Sequence, residues 1–127
     1  MVKTAGEKAL AALKTVVIDQ GVFKYVLIEV TAEDESGQEV TRHLVRGHQS
    51  AEYHADIYDP EEEAIRFQGL DAQCLGGGRI QHDPARKYIK VYGYSLGFGR
   101  ANHARVVEIL QTAYPEDYTF EWSDEGY

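Results

Sequence analysis

Six short segments of β-type composition, bounded by turn signals, constrain the fold of this chain more than any other feature. Turn signals occur at residues 20–21 (Gln-Gly), 36–37 (Ser-Gly) and 83–86 (DPAR), and the first of them predicts a hairpin. The alternation in KYIKVYGY is typical of a half-buried strand. The predicted strands cover residues 15–19, 22–30, 40–46, 71–82, 87–94 and 118–122.

Two helices are predicted near the ends of the chain. Residues 4–14 begin with Thr4 and Glu7 at the spacing of a capping box, and the alanines and leucines that follow favour a helix. Residues 102–112 carry apolar side chains on one side of a helix, and Pro115 follows them.

A third helix is predicted within residues 50–69. Ser50 is a candidate cap, and Pro60 follows Asp59 as at a second helix start, so one helix with a kink at Pro60 is expected. Gly69 is a plausible end for it.

The order of these elements predicts an α/β or α+β fold with a mixed sheet of about six strands, flanked by two main helices. The length of 127 residues suits one domain over residues 1–127, with residues 1–14 as an additional N-terminal helix.

Charge and composition exclude several classes of partner. The net charge is -8, from 13 basic and 21 acidic residues, which argues against nucleic acid but still allows a few positioned donors to hold one phosphoryl group. The chain has one cysteine, no apolar run of the ~18 residues that a membrane span needs, and no signal-peptide core. We therefore expect a cytoplasmic monomer without disulfides or membrane contacts.

The segment YSLGFGRANH, residues 94–103, is a candidate anion site. Glycines between a strand and a helix let backbone N–H groups converge on an anion, and the hydroxyl of Ser95 adds a further donor. An ordinary strand-to-helix turn is the alternative, and the GK[ST] of a P-loop is missing.

Two residues are candidates for a base or nucleophile. His54, in AEYHADIYD, has a side chain that titrates near neutral pH, although on the local sequence alone a surface or core histidine is favoured. Cys74 precedes Arg79 by four intervening residues, one fewer than in cysteine phosphatases, so a buried bystander thiol is favoured over a nucleophile. The five histidines lack the spacing of a metal site, and no metal is expected.

Three cations are scattered along the predicted strands. Lys24 lies within one strand, Arg46 ends another, and Arg79 follows three glycines. Each could be a solvated strand residue, and together they could surround one anion.

Several motifs occur together in one order from about residue 21 to the end of the chain. They are GVFKYVLI, VRG, AEYHADIYD, CLGGGRI, VYGYS and DEGY. In these motifs the sequence resembles the phosphohistidine phosphatase family, also called Janus proteins. The resemblance implies a mixed six-stranded sheet with two flanking helices.

The resemblance also implies a site and an activity. His54 would be the catalytic histidine, as a general base or a nucleophile, and the positions that correspond to substrate and phosphate contacts are Lys24, Arg46, Arg79, Ser95, Leu96 and Gly97. The expected activity is hydrolysis of the P–N bond of phosphohistidine in proteins, without a metal or other cofactor. The partners would be histidine-phosphorylated proteins and phosphate. A non-catalytic phosphoprotein-binding module remains the alternative.

Overall fold

The computed structural model describes residues 3–126. Its α+β architecture confirms the mixed six-stranded sheet, and three α-helices accompany it within those residues. The elements are α1 (Ala5–Ala12), β1 (Val16–Val17), β2 (Gly21–Glu33), β3 (Glu39–His48), α2 (His54–Phe67), β4 (Asp71–Asp83), β5 (Tyr88–Tyr92), α3 (His103–Gln111) and β6 (Thr119–Trp122).

The strands lie in the order β1-β3-β2-β4-β5-β6. The neighbours β2–β3, β2–β4 and β4–β5 are antiparallel, and the edge strands β1 and β6 run parallel to β3 and β5. The two long strands β2 and β4 are therefore both interior strands, and the candidate site is built on them.

The hairpin predicted at residues 20–21 is wrong, because β1 pairs with β3 and not with β2. Residues 18–20 cross the end of β3, where the Asp19 carboxylate accepts a hydrogen bond from the Gln49 backbone nitrogen at 2.8 Å. A gap of two strand spacings, about 10 Å, is within reach of such a short segment. With β3 in this position, it pairs with both β1 and β2.

The alternation of β2 separates two apolar cores. Tyr25 and Leu27 belong to a cluster that includes Val106 and Leu110 of α3. Val26 and Ile28 belong to a second cluster that includes side chains from α1 and α2. Because side chains alternate between faces, Lys24 lies on the same face as Val26, which is the face that α2 covers.

The start of α2 differs from the prediction. Ser50 does not cap the helix, because its hydroxyl hydrogen-bonds to Nδ1 of His48 at 2.8 Å. The helix begins at His54, and the Asp56 carboxylate accepts a hydrogen bond from the backbone nitrogen of Tyr53 at 2.8 Å. Pro60 lies inside the helix, as predicted. His54 is therefore the first helical residue, where α2 meets the sheet.

Candidate active site

The loop between β5 and α3 is a tight turn closed on itself. The Ser95 and Gly99 backbones exchange hydrogen bonds at 3.1 and 2.8 Å, and Ser95 Oγ accepts one from the Phe98 nitrogen at 3.1 Å. The loop is also held to β4, because the Gly77 nitrogen donates to the Gly99 carbonyl at 3.0 Å.

The two amides at the tip of this loop take no part in its internal hydrogen bonds. Leu96 and Gly97 are exposed, and neither backbone nitrogen donates to another group within residues 3–126. Exposed, neighbouring N–H donors of this kind suit an anion. The anion site predicted for this segment stays a prediction, which these two donors would serve.

Lys24 and Arg79 come together on one face of the sheet. They are direct partners in the antiparallel register of β2 and β4. Paired residues of such a ladder project to the same side, so the two cations lie next to each other on the face covered by α2.

His54 lies against β4 with one ring nitrogen already engaged. The residue is 8% exposed, and Nε2 lies 2.9 Å from the carbonyl oxygen of Gly78. Because a carbonyl only accepts, the neutral ring carries its hydrogen on Nε2 and leaves Nδ1 as the basic nitrogen. Gly77 makes this packing feasible, since a Cβ there would lie 2.7 Å from the Cδ2 atom of His54.

The free nitrogen of His54 is open to solvent. Nδ1 has no hydrogen-bond partner among the described residues. Every fully buried side-chain nitrogen or oxygen in those residues does have a partner, so Nδ1 is not fully buried. An unpartnered Nδ1 is therefore one that solvent reaches. The ring can accept a proton there from a molecule bound in front of it.

The surroundings of His54 favour the neutral imidazole. Burial lowers its pKa below 6.5, the Gly78 hydrogen bond partly opposes this shift, and the charges of Lys24 and Arg79 lower the pKa further. At pH 7 the ring is therefore predominantly uncharged, which is the form that a base or nucleophile requires.

A pocket of about 840 Å³ connects these features. Six of the seven predicted site residues line it: Lys24, His54, Arg79, Ser95, Leu96 and Gly97. The sequence analysis missed further lining residues, namely Glu52, Tyr53, Ala55, Tyr94 and Phe98. Their signal was position, because Glu52, Tyr53 and Ala55 lie within AEYHADIYD, and Tyr94 and Phe98 lie within residues 94–103.

The structure does not bring Arg46 to this pocket. Its guanidinium donates to Glu61 at 2.6 Å, to the Lys14 carbonyl at 2.7 Å and to its neighbour Val45 at 3.1 Å. It lines a separate, smaller cleft between β3 and α2. These partners tie Arg46 to α2 and to the segment before β1, and its part in phosphate binding, directly or by ordering the pocket, stays a prediction.

His103 has a structural partner set that the sequence analysis did not anticipate. It is 1% exposed, its Nε2 donates to the Gly93 carbonyl at 2.6 Å, and its Nδ1 accepts from the Tyr25 hydroxyl at 2.6 Å. Gly93 lies two residues before Ser95, so this buried pair holds the start of the anion loop.

Cys74 takes no part in the pocket. Its half-buried thiol lies 3.5 Å from the Gly76 carbonyl, and burial raises its pKa to about 11. A thiol with such a pKa is a poor nucleophile near neutral pH. The position agrees with the interpretation of Cys74 as a bystander.

Within residues 3–126, no three histidine, cysteine or acidic side chains are grouped so that they could hold a metal ion. None of the helices in that range is long and apolar enough to cross a membrane.

Known proteins are similar to this chain over nearly its whole length. The sex-regulated protein janus-A of Drosophila yakuba is 51% identical, over 100% of this chain and 91% of that protein. The Drosophila melanogaster janus-A is 48% identical with the same coverage. The 14 kDa phosphohistidine phosphatase of Sus scrofa is 49% identical, over 93% of this chain and 95% of that protein.

The family described as Janus/Ocnus matches residues 10–118. This range contains every residue predicted for the site, and it lies within the part of the chain that the janus-A relative covers. The chain therefore belongs to the Janus/Ocnus family, as the motifs of its sequence indicate.

Proposed function

We propose that this protein is a protein phosphohistidine phosphatase, which hydrolyses the P–N bond of phosphohistidine in other proteins without a metal. The observation that carries the proposal is the state of His54: its Nε2 hydrogen is committed to the Gly78 carbonyl, and Nδ1 is left open in the pocket that holds Lys24 and Arg79. The similarity to a protein named 14 kDa phosphohistidine phosphatase supports it.

The loop and the two cations would hold the phosphoryl group. The backbone nitrogens of Leu96 and Gly97 would donate to its oxygens, with Lys24 and Arg79 supplying positive charge. Local cations matter here, because the chain as a whole carries a net charge of -8 and repels a dianion at long range.

His54 would act as a general base. A water molecule attacks phosphorus and gives a proton to Nδ1, while the P–N bond breaks and the substrate imidazole keeps its electron pair. That imidazole leaves as a neutral ring when its other nitrogen carries a proton. The products are histidine and phosphate, and His54 returns its proton to solvent.

Arg46 would contribute indirectly. Its bonds to Glu61 and to the Lys14 carbonyl connect β3, α2 and the segment before β1. Since α2 begins with His54, a fixed α2 helps to keep the imidazole at its place on β4.

The test is phosphate release from a histidine-phosphorylated protein in the presence of a metal chelator. The wild-type protein should release phosphate at the same rate with and without chelator. His54→Ala should lose about two to four orders of magnitude in rate, the usual scale for removing an acid–base group. Cys74→Ser is the matched control and should keep most of the activity. An active His54→Ala beside an inactive Cys74→Ser would contradict the mechanism.

Two other outcomes would replace the proposal. Activity that disappears in chelator and returns with one divalent metal would make the reaction metal-dependent. Tight binding of the phosphorylated protein without any turnover would favour a non-catalytic phosphoprotein-binding module.

A further inference from the structure

The pocket in front of His54 is larger than a phosphorylated imidazole needs. Its volume of about 840 Å³ lies in the upper part of the range for sites that enclose a drug-sized molecule, about 300–1,000 Å³. A phosphoryl group held by the loop amides and the two cations would fill only part of such a space. The remainder has room for neighbouring parts of a substrate.

Three of the residues that line the pocket, Tyr53, Leu96 and Phe98, have large apolar or aromatic side chains, and together they are called the apolar wall. Tyr53 is 64% exposed and Leu96 is 93% exposed. Phe98 is half-buried and packs edge-on against Tyr58, with ring centroids 5.5 Å apart, so the wall is continuous with the core beneath α2. One exposed apolar side chain is ordinary, but three that line one pocket beside two cations form a patch.

The charges around the wall narrow the chemistry of the occupant. Lys24 and Arg79 attract the phosphoryl group, while Glu52 also lines the pocket and the chain is acidic overall. Once the phosphoryl group occupies the two cations, Glu52 and the net negative charge would repel acidic side chains next to the phosphohistidine. An uncharged, apolar neighbour fits both the wall and the potential.

We propose that the protein recognises a large apolar side chain next to the phosphohistidine of its substrate, which packs against Tyr53, Leu96 and Phe98. The inference rests on the proposed function, because the bound phosphoryl group determines which part of the substrate reaches this wall. It defines the substrate class as polypeptide segments in which phosphohistidine adjoins an aliphatic or aromatic residue.

The experiment assays the full-length protein on three substrates. Two are histidine-phosphorylated peptides that differ only in the residues on both sides of phosphohistidine, leucine in one and serine in the other, and the third is free phosphohistidine. Wild type should show a kcat/KM about ten-fold higher for the leucine peptide, mainly through a lower KM, since burying one leucine side chain supplies at least a factor of this size.

Variants of the wall locate the effect. Leu96→Ser and Tyr53→Ser should each reduce the leucine-to-serine ratio of kcat/KM from about ten to about two or less. Both side chains are exposed, so neither change removes core packing. Phe67→Ser is the matched control: Phe67 is 91% exposed but does not line the pocket, and the ratio should stay near ten.

Equal kcat/KM for the two peptides in wild type, with free phosphohistidine still hydrolysed, would overturn this inference and leave the proposed function intact. A wild-type preference that survives both wall variants would also overturn it. If none of the three substrates is hydrolysed, the proposed function fails and this inference fails with it.

Discussion

His54 and His103 pack against opposite faces of β4, at the neighbouring glycines Gly77 and Gly78. A Cβ on Gly77 would lie 2.7 Å from Cδ2 of His54, and a Cβ on Gly78 would lie 2.7 Å from Cε1 of His103. One ring presents Nδ1 to the pocket, and the other uses both nitrogens inside the protein. The glycine run in CLGGGR thus serves the packing of two histidines.

The pH dependence of kcat/KM should report His54. Burial and the charges of Lys24 and Arg79 lower its pKa below 6.5, so the base is lost only as the pH falls through that lower value. We therefore expect the acid limb of the profile below pH 6.5. Lys24→Ala removes one charge that opposes the imidazolium, so it should move the limb to higher pH as well as raise KM.

A charge-matched control separates this effect from net charge. Lys8 is exposed on α1 and does not line the pocket, and Lys8→Ala should leave the limb in place. A limb that shifts to lower pH in Lys24→Ala, or does not move, would mean that another group is the base.

The backbone N–H of Gly97 should affect substrate binding more than the lack of a side chain at this position does. Gly97→Pro removes the N–H donor, so we expect KM to rise by at least about ten-fold, which corresponds to roughly 1.4 kcal/mol of lost binding. Gly97→Ala keeps the amide, and its Cβ would meet nothing within 4 Å. Similar steady-state kinetics for the two folded variants would place the phosphoryl group elsewhere.

His103 should act on the loop from beneath. His103→Phe leaves the Gly93 carbonyl and the Tyr25 hydroxyl without their partner, and each unsatisfied buried group costs about 1–3 kcal/mol. We expect a lower free energy of unfolding in a denaturant titration and a raised KM, because Gly93 leads into the anion loop.

His103→Gln provides the rescue. A glutamine can donate to Gly93 and accept from Tyr25, so it should recover part of both the stability and the KM. Equal stability loss without any change in KM for His103→Phe would show that the network supports the core alone.

Arg46 should behave as a residue that joins elements. Arg46→Ala leaves the Lys14 carbonyl and Glu61 without a donor, so the free energy of unfolding should fall by about 1–3 kcal/mol. Inhibition by inorganic phosphate should keep its wild-type constant, measured where the variant is folded. Weaker inhibition at unchanged stability would instead put the guanidinium at the phosphoryl group.

Local patterns along the chain predict most of the helices and strands and most of the residues of the candidate site. Alternation predicts the strands, the Thr4–Glu7 capping box predicts α1, and the glycines after Ser95 predict a loop with free amides, because each depends on residues a few positions apart. The motifs likewise led to six residues that line one pocket.

Other features depend on which distant segments become neighbours. Three features arise from a partner far away in sequence. Strand β3 lies between β1 and β2, Arg46 pairs with Glu61, and the Gly78 carbonyl leaves Nδ1 as the free nitrogen of His54. The sequence by itself determined the elements and the residue types of the site. Only the tertiary structure decided which of the three predicted cations reach the pocket and which nitrogen can take a proton, because hydrogen bonds and burial between distant segments control both.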